Sequence, residues 1–202
     1  MADPALVCGW ARNSEIEHLY HDHEWGKLQL DDAKLYEFIV LESAQAGLSW
    51  RTVLNKREGY RQHYLNFDPE KVAQFGESEI QSMLDDPAVI RNRAKIEASI
   101  GNARVFLQIV HEYGSFAAYL FSFMRGHIQL NSWQTTAEIP ADTELSKAIA
   151  KDLKQRGMRF FGSTIVYAFL QACGFVNDHI QNCPEHSKAV AIAREAGYLE
   201  LS

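Results

Sequence analysis

Apolar residues recur along much of the chain at intervals of three and four, the period of a helix buried on one face. Leu35, Phe38, Ile39 and Ala46 keep this spacing after Asp31-Asp32-Ala33, a run suited to capping a helix start, and Gly47 suits the end of that helix. Ser49 can cap the next helix, which runs from Trp50 to about Tyr64. Asp68-Pro69 and Asp86-Pro87 each join a cap residue to a proline at the first helical position, so a helix is predicted to begin at each. Ile90 to Tyr113 is long and amphipathic, with Ile96, Ile100, Ala103, Phe106, Leu107 and Val110 on one side. Phe116 to Met124 is short and apolar. Leu145 to Arg156 stops at Gly157, Ser163 to Ala172 stops near Gly174, and Lys188 to Ala196 precedes Gly197. No strand-type alternation of useful length, fixed-period repeat or low-complexity linker is present. The pattern predicts one all-α domain over residues 1–202, compatible with two helical lobes around a cleft.

Composition narrows this picture without redirecting it. Of 202 residues, 47% are hydrophobic and 23% charged, as in an ordinary globular chain and unlike a disordered one. No uninterrupted apolar run approaches the roughly 18 residues of a membrane span. Met1-Ala2-Asp3-Pro4 lacks the charged start and apolar stretch of a secretory signal, so a cytoplasmic location is expected. The net charge of −6 argues against a protein that binds nucleic acid over its whole surface. Local segments run the other way. Lys147, Lys151, Lys154, Arg156 and Arg159 oppose only Asp152; Arg91, Arg93, Lys95 and Arg104 oppose only Glu97; Arg51, Lys56, Arg57 and Arg61 oppose only Glu58. Such runs are either solvated helix faces or local anion-binding surfaces.

Three cysteines in such a chain do not form a disulfide framework, and they point to packing or metal binding. Cys173, on an apolar helix face, reads as core. Cys8 with His21 and His179 with Cys183 read as two half-sites from opposite ends of the chain. The second pair is four apart, so on a helical turn the two would face the same way. Two thiolates and two imidazoles suit tetrahedral zinc with no open position, hence a structural ion. His18, His23 and His186 are rival ligands, and unrelated burial of these residues is the alternative.

Glu42 falls on the apolar stripe of its helix, three residues after Ile39 and four after Phe38. A carboxyl group there must be paired, hydrogen-bonded or functional. Trp10, Tyr20, Trp25 and Trp50 lie near it in the sequence. Together they suggest a pocket for a flat, cationic or hydrogen-bond-donating ring, each stacking or cation–π contact giving about 0.5–2 kcal/mol. The competing reading is a core carboxylate paired with an Arg or Lys, the tryptophans filling volume. Leu153 to Thr164 reads as helix, glycine-bounded hairpin, helix. Backbone N–H groups at the start of the second helix, with a hydroxyl from Ser163 or Thr164, can hold a phosphate without reading sequence.

These residues closely resemble those of the 3-methyladenine DNA glycosylase I family. The matching stretches are Cys8-Gly9-Trp10, Tyr20-His21-Asp22, Glu24-Trp25-Gly26, Leu41-Glu42 and Gln45-Ala46-Gly47-Leu48-Ser49-Trp50. They continue through Phe67-Asp68-Pro69, Ile90-Arg91 to Lys95-Ile96, Asn102-Ala103, Gly157 to Gly162, Gln171-Ala172-Cys173-Gly174 and Asn177-Asp178-His179. The likeness spans about residues 8 to 183, leaving 184–202 as a tail outside it. It implies a helix-hairpin-helix glycosylase fold with one structural Zn2+ on Cys8, His21, His179 and Cys183. It implies hydrolysis of the N-glycosidic bond of 3-methyladenine in alkylated double-stranded DNA, releasing the free base and leaving an abasic site. Glu42 becomes the base-binding and catalytic carboxyl, with Trp10, Tyr20, Trp25 and Trp50 as pocket aromatics. Gly157, Gly162, Ser163 and Thr164 become DNA contacts, and Gly47 and Leu48 candidates for the wedge that fills the vacated stack. Family members lack the aspartate that other glycosylases of this fold carry after the hairpin, and this chain has no acid there before Asp178. No lysine stands out as a Schiff-base nucleophile, so a monofunctional enzyme is expected, with no protein partner. Two departures stand out: Glu17 replaces an expected aromatic on the short helix before Tyr20, and Lys27-Leu28 replaces a proline-containing turn. Glu17 motivates the alternative of a zinc-stabilised damaged-DNA-binding protein without glycosylase activity.

Overall fold

The computed structural model describes residues 7–199. Residues 1–4, read above for a secretory signal, and the last three of the 184–202 tail lie outside it. Among the described residues the chain forms ten helices: α1 (Glu15–His23), α2 (Asp32–Gln45), α3 (Trp50–His63), α4 (Pro69–Val72), α5 (Glu77–Asp85), α6 (Arg93–Tyr113), α7 (Phe116–Phe123), α8 (Glu144–Gln155), α9 (Ser163–Ala172) and α10 (Pro184–Glu195). Short 3-10 turns occupy Gly9–Arg12 and Thr136–Glu138.

Most starts follow from side-chain caps. Ser14, Asp31, Ser49, Asp68, Asn92, Ser115 and Thr143 each accept a first-turn backbone N–H, satisfying donors that the helix itself leaves free. α2 is the axis of the fold. Every residue from Leu35 to Ala44 on it is buried, because α3, α6, α7 and α9 pack around it. A helix covered on all sides cannot follow a simple amphipathic stripe, and this is how Glu37 and Glu42 come to be buried on the same helix.

Three expectations are corrected. Asp86-Pro87 does not open a helix. It closes α5, and Asp86 then directs a turn, its Oδ1 accepting the Ala88 N–H at 2.8 Å. Asp-Pro suits the first two positions of a type I turn as well as a helix start, so the dipeptide alone does not separate them. The long helix begins at Arg93 under an Asn92 cap rather than at Ile90. The last helix begins at Pro184 rather than Lys188, with proline at its first position. One small strand pair escaped the pattern: Gln129–Leu130 and Val176–Asn177 pair in parallel, too short to show alternation.

α8 and α9 pack against each other across a connection over residues 156–162. Gly157 turns it at φ +105°, a left-handed conformation that a side chain disfavours. Buried Asn102 of α6 fastens the connection from below: its Nδ2 donates to the Arg159 carbonyl and its Oδ1 accepts the Arg159 N–H, both at 2.9 Å.

Candidate functional site

A cavity of about 250 Å³ opens between the N-terminal segment, α2, α3 and α9. The 3-10 turn brings Trp10, α1 brings Glu17 and Tyr20, and Trp25 follows α1. α2 contributes Glu42 and Gln45, α3 begins with Trp50, and α9 contributes Ala168 and Gln171. All four aromatics predicted from sequence therefore line one space with Glu42. Trp10 meets Trp25 nearly edge-on at 5.1 Å between centroids, and Tyr20 lies 5.3 Å from Trp50 at a tilt of 51°. Gln45, Ala168 and Gln171 were missed. Gln45 sits three residues after Glu42 and thus on the same helix face, and Ala168 and Gln171 are spaced alike, so periodicity held their signal.

Three polar atoms of this cavity are buried without a protein partner: Glu42 Oε2, the Tyr20 hydroxyl and the Trp50 Nε1. Buried polar atoms are usually satisfied, so three around one cavity mark a place where partners are to be supplied from outside. Burial alone pushes the Glu42 carboxyl up to about 8, since no cation stands near enough to oppose it. Burial, then the neighbouring Glu42 charge, pushes the Tyr20 hydroxyl well above its ordinary value.

The reading of Glu42 as a core carboxylate paired with Arg or Lys does not hold. The cations go to other acids. Arg57 donates to Glu24 through both terminal nitrogens at 2.6 Å and to Glu37 through Nε at 2.7 Å. Arg61 pairs with Glu37 and Glu58, and Arg51 with Glu17. The basic run of α3 is thus largely an internal ion-pair network rather than an open anion-binding face.

The four predicted metal ligands converge. Cys8, His21, His179 and Cys183 are all buried, and their ligand atoms lie within 4.8 Å of one another. Cys183 Sγ is 3.5 Å from His21 Nε2 and 3.7 Å from His179 Nδ1, and Cys8 Sγ is 3.7 Å from His179 Nδ1. These residues can hold a metal ion. His18, His23 and His186 take no part. The expected helical turn between His179 and Cys183 is absent. They sit on an irregular loop closed by the Cys183 N–H on the Ile180 carbonyl, ahead of α10. Gly26 is required here: its φ is +76°, and a Cβ would fall 2.5 Å from His179 Nε2. The cluster also backs the cavity wall, with the His179 ring 4.5 Å from Trp25 and the His21 ring 5.5 Å from Trp10.

A larger groove, about 720 Å³, lies over the α8–α9 connection, lined by Lys147, Lys151, Lys154, Arg159, Gly162 and Ser163 among others. Gly162 caps α9 without a side-chain bond, leaving the first-turn N–H groups open. Thr164 is exposed. Ser163 is not available as a free hydroxyl donor, because it donates to Asp142 Oδ2 at 2.7 Å. Gly47 and Leu48 form the exposed turn between α2 and α3, where Leu48 is 42% exposed.

Asp178 is the buried acid that sequence reasoning passed over. Its Oδ1 accepts from Asn131 Nδ2 at 2.6 Å and Trp133 Nε1 at 2.7 Å. Its Oδ2 accepts from the Tyr167 hydroxyl at 2.5 Å and Gln171 Nε2 at 2.6 Å. It therefore fixes the amide of a cavity-lining glutamine.

A helical protein with an aromatic-lined cavity, an unpaired carboxyl in its wall and a cationic groove at the start of α9 fits a class that grips a flat base extruded from a strand. The chain belongs to the methyladenine glycosylase family, whose model matches residues 10–186. It is 47% identical over 176 residues to the DNA-3-methyladenine glycosylase 1 of Escherichia coli K12, covering 87% of this chain and 94% of that protein. Two solved structures of 3-methyladenine DNA glycosylase I are similar throughout. One is a tyrosine-to-phenylalanine variant in complex with 3-methyladenine, with 33% identity and TM-score 0.86, covering 89% of this chain and 97% of that one. The other is a glutamate-to-glutamine variant from Staphylococcus aureus, with 34% identity and TM-score 0.84, covering 88% and 96%.

Proposed function

We propose that this protein hydrolyses the N-glycosidic bond of 3-methyladenine in alkylated double-stranded DNA, releasing the free base and leaving an abasic site. The observation that carries this reading is the set of orphaned polar atoms, Glu42 Oε2, Tyr20 hydroxyl and Trp50 Nε1, around a cavity sized for one flat ring system. The positions substituted in the two similar solved structures, a tyrosine and a glutamate, stand 22 apart in number, as Tyr20 and Glu42 do.

The chemistry follows from the base. Inside the duplex its glycosidic bond is out of reach, so the nucleotide must swing out of the stack. Leu48, on the exposed Gly47 turn, enters the space left behind. The groove at Gly157–Thr164 holds phosphate through backbone N–H groups and lysine charge, fixing position without reading sequence. N3-methylation makes the adenine ring cationic. When the C1′–N9 bond breaks, its electron pair neutralises the departing base, the sugar carbon takes up positive charge, and water adds there with loss of a proton. The leaving group needs no protonation, so the cavity's task is to hold the base. Glu42 accepts hydrogen bonds from the ring's N–H donors, while Trp10, Tyr20, Trp25 and Trp50 enclose its faces. No lysine lines the cavity among the described residues, in keeping with a reaction that ends at the abasic site.

Cys8, His21, His179 and Cys183 would hold one structural zinc ion. Zn–S and Zn–N bonds of about 2.3 and 2.0–2.1 Å in a tetrahedron place S and N about 3.6 Å apart, and the three S···N distances here bracket that value. Asp22 Oδ1 lies 2.8 Å from His21 Nδ1, the outer-shell carboxylate that fixes which nitrogen faces the ion. With four protein ligands, such an ion would clamp residues 8–21 to residues 179–183 and supply no chemistry on substrate. Action on DNA in the cytoplasm belongs to the same reading.

The test is incubation with methylated duplex and identification of what is released. Free 3-methyladenine with an intact abasic strand supports the reading. Salt-sensitive binding with no base released replaces it with a damage-binding protein. Metal analysis checks the clamp: less than about half an equivalent of zinc after chelator-free purification removes it.

A further inference from the structure

The cavity contains a second carboxyl group, and its surroundings are the opposite of those of Glu42. Glu17 is buried at the cavity wall. Arg51 Nε donates to its Oε2 at 3.1 Å, an Arg51 terminal nitrogen lies 3.0 Å from the same oxygen, and the Ser14 hydroxyl donates to it at 2.6 Å. Arg51 is itself tied to the Asn13 carbonyl at 2.9 Å. Every protein contact to the side chain falls on Oε2, leaving Oε1 without a partner among the described residues.

Ser14 and Glu17 hold the positions of a capping box, and Ser14 Oγ accepts the Glu17 N–H at 3.4 Å. In an ordinary box the glutamate reaches back to the cap residue's backbone N–H. Here it takes the Ser14 hydroxyl and the Arg51 guanidinium instead, so helix capping does not account for its placement.

We infer that Glu17 is a specificity-determining residue of this cavity, presenting a fixed negative charge that favours a cationic base over a neutral one of the same shape. Arg51 offsets that charge only in part. Its side chain is 45% exposed and screened by solvent, whereas the glutamate side chain is 9% exposed and lies against the low-dielectric cavity. The two carboxyls divide the work. Glu42 meets the ring's N–H donors, and Glu17 reads the charge that alkylation adds. This inference rests on the base-binding reading above.

The experiment compares binding of two ligands by tryptophan fluorescence: free 3-methyladenine in its neutral form, and 3,9-dimethyladeninium, whose N9 methyl fixes the positive charge as the sugar does in DNA. The wild-type protein binds both, the cation more tightly. Glu17→Gln keeps size and the Ser14 contact but removes the charge. It weakens cation binding by about tenfold, ~1.4 kcal/mol, and changes binding of the neutral base by less than about twofold. Ser14→Ala removes the helix cap and the hydroxyl bond to Glu17 Oε2 but keeps the carboxylate and its Arg51 contact, so it lowers the melting temperature while the cation still binds more tightly than the neutral base. An unchanged ratio in Glu17→Gln, or equal weakening of both ligands, overturns the inference and returns Glu17 to a structural role. Failure of the wild-type protein to bind either ligand overturns the base-binding reading itself.

Discussion

Asp178 and Glu42 are both buried acids, Glu42 in the cavity wall and Asp178 behind it through Gln171, and they are treated in opposite ways. Asp178 receives four hydrogen bonds from four residues. Glu42 has an oxygen that receives none, with the Tyr20 hydroxyl and Trp50 Nε1 orphaned around it. Gln171 links the two regions, donating to Asp178 while lining the cavity. A saturated acid organises the scaffold, because its bonds are complete without a ligand. An unsaturated one carries a free-energy deficit that only a ligand removes. The cations follow the same division, since Arg57 serves Glu24 and Glu37 and none reaches Glu42.

The sharpest way to break this comparison is Glu42→Gln. The amide keeps the shape but places an N–H donor where an acceptor is needed. Base release from methylated duplex falls by about 10²–10³-fold, ~3–4 kcal/mol of barrier. The variant stays folded and is at least as stable as wild type at neutral pH, since it loses no protein hydrogen bond. Base release at the wild-type rate would remove Glu42 from the mechanism.

Asp178→Asn tests the saturated side. The new NH₂ group faces two donors, leaving buried hydrogen bonds unmade at a cost of about 2–3 kcal/mol. For a domain of this size that lowers the melting temperature by about 4–12 °C in calorimetry. Base release drops less than with Glu42→Gln, through loosening of Gln171. An unchanged melting temperature would mean that the four bonds are not structural.

The third contrast is in pH. Glu42 is raised from 4.5 in the unfolded chain to about 8 in the fold. The folded state therefore holds its proton longer, so stability present below about 4.5 is lost as pH rises through about 8. The slope is at most about 1.4 kcal/mol per unit in that window. Unfolding of wild type and Glu42→Gln across this range will diverge, with the glutamine variant the more stable at the upper end. Because the carboxylate is the form that accepts two hydrogen bonds, kcat/KM for base release rises with pH toward about 8, and that limb vanishes in the variant. Parallel stability curves would mean that Glu42 is less deeply desolvated than its surroundings indicate.

What the chain discloses before folding divides along the same line. The convergence of Cys8, His21, His179 and Cys183 was legible because the chain has only three cysteines and thiols and imidazoles share few kinds of partner. The starts of α2 and α3 were legible because Asp31 and Ser49 carry the caps in local sequence. Glu42 was legible as an acid on an apolar stripe. Asp178 was not, because its partners Asn131 and Trp133 lie 47 and 45 residues away. Glu17 showed as a departure from the family pattern, but its Arg51 partner is 34 residues distant. Asp86-Pro87 misled because the same dipeptide serves a helix start and a turn. Local rules locate elements and odd residues, whereas saturation of a buried group depends on packing between elements.

The α8–α9 connection repeats the comparison in cations. Arg156 is saturated: it bonds Glu112 and Asp152 and lies over the rings of Tyr113 and Tyr119. Lys151, Lys154 and Arg159 line the groove over this connection with no carboxylate partner among the described residues. By the reasoning applied to the acids, Arg156 builds the connection and the other three meet phosphate. Lys154→Ala should then weaken binding to undamaged duplex a few-fold and lower the slope of log K against log salt by about one, while leaving the melting temperature nearly unchanged. Arg156→Ala should do the reverse, lowering the melting temperature with little change in slope. If Lys154→Ala leaves the slope intact, the free cations of this groove do not face DNA, and pairing state ceases to separate scaffold from binding surface outside the cavity.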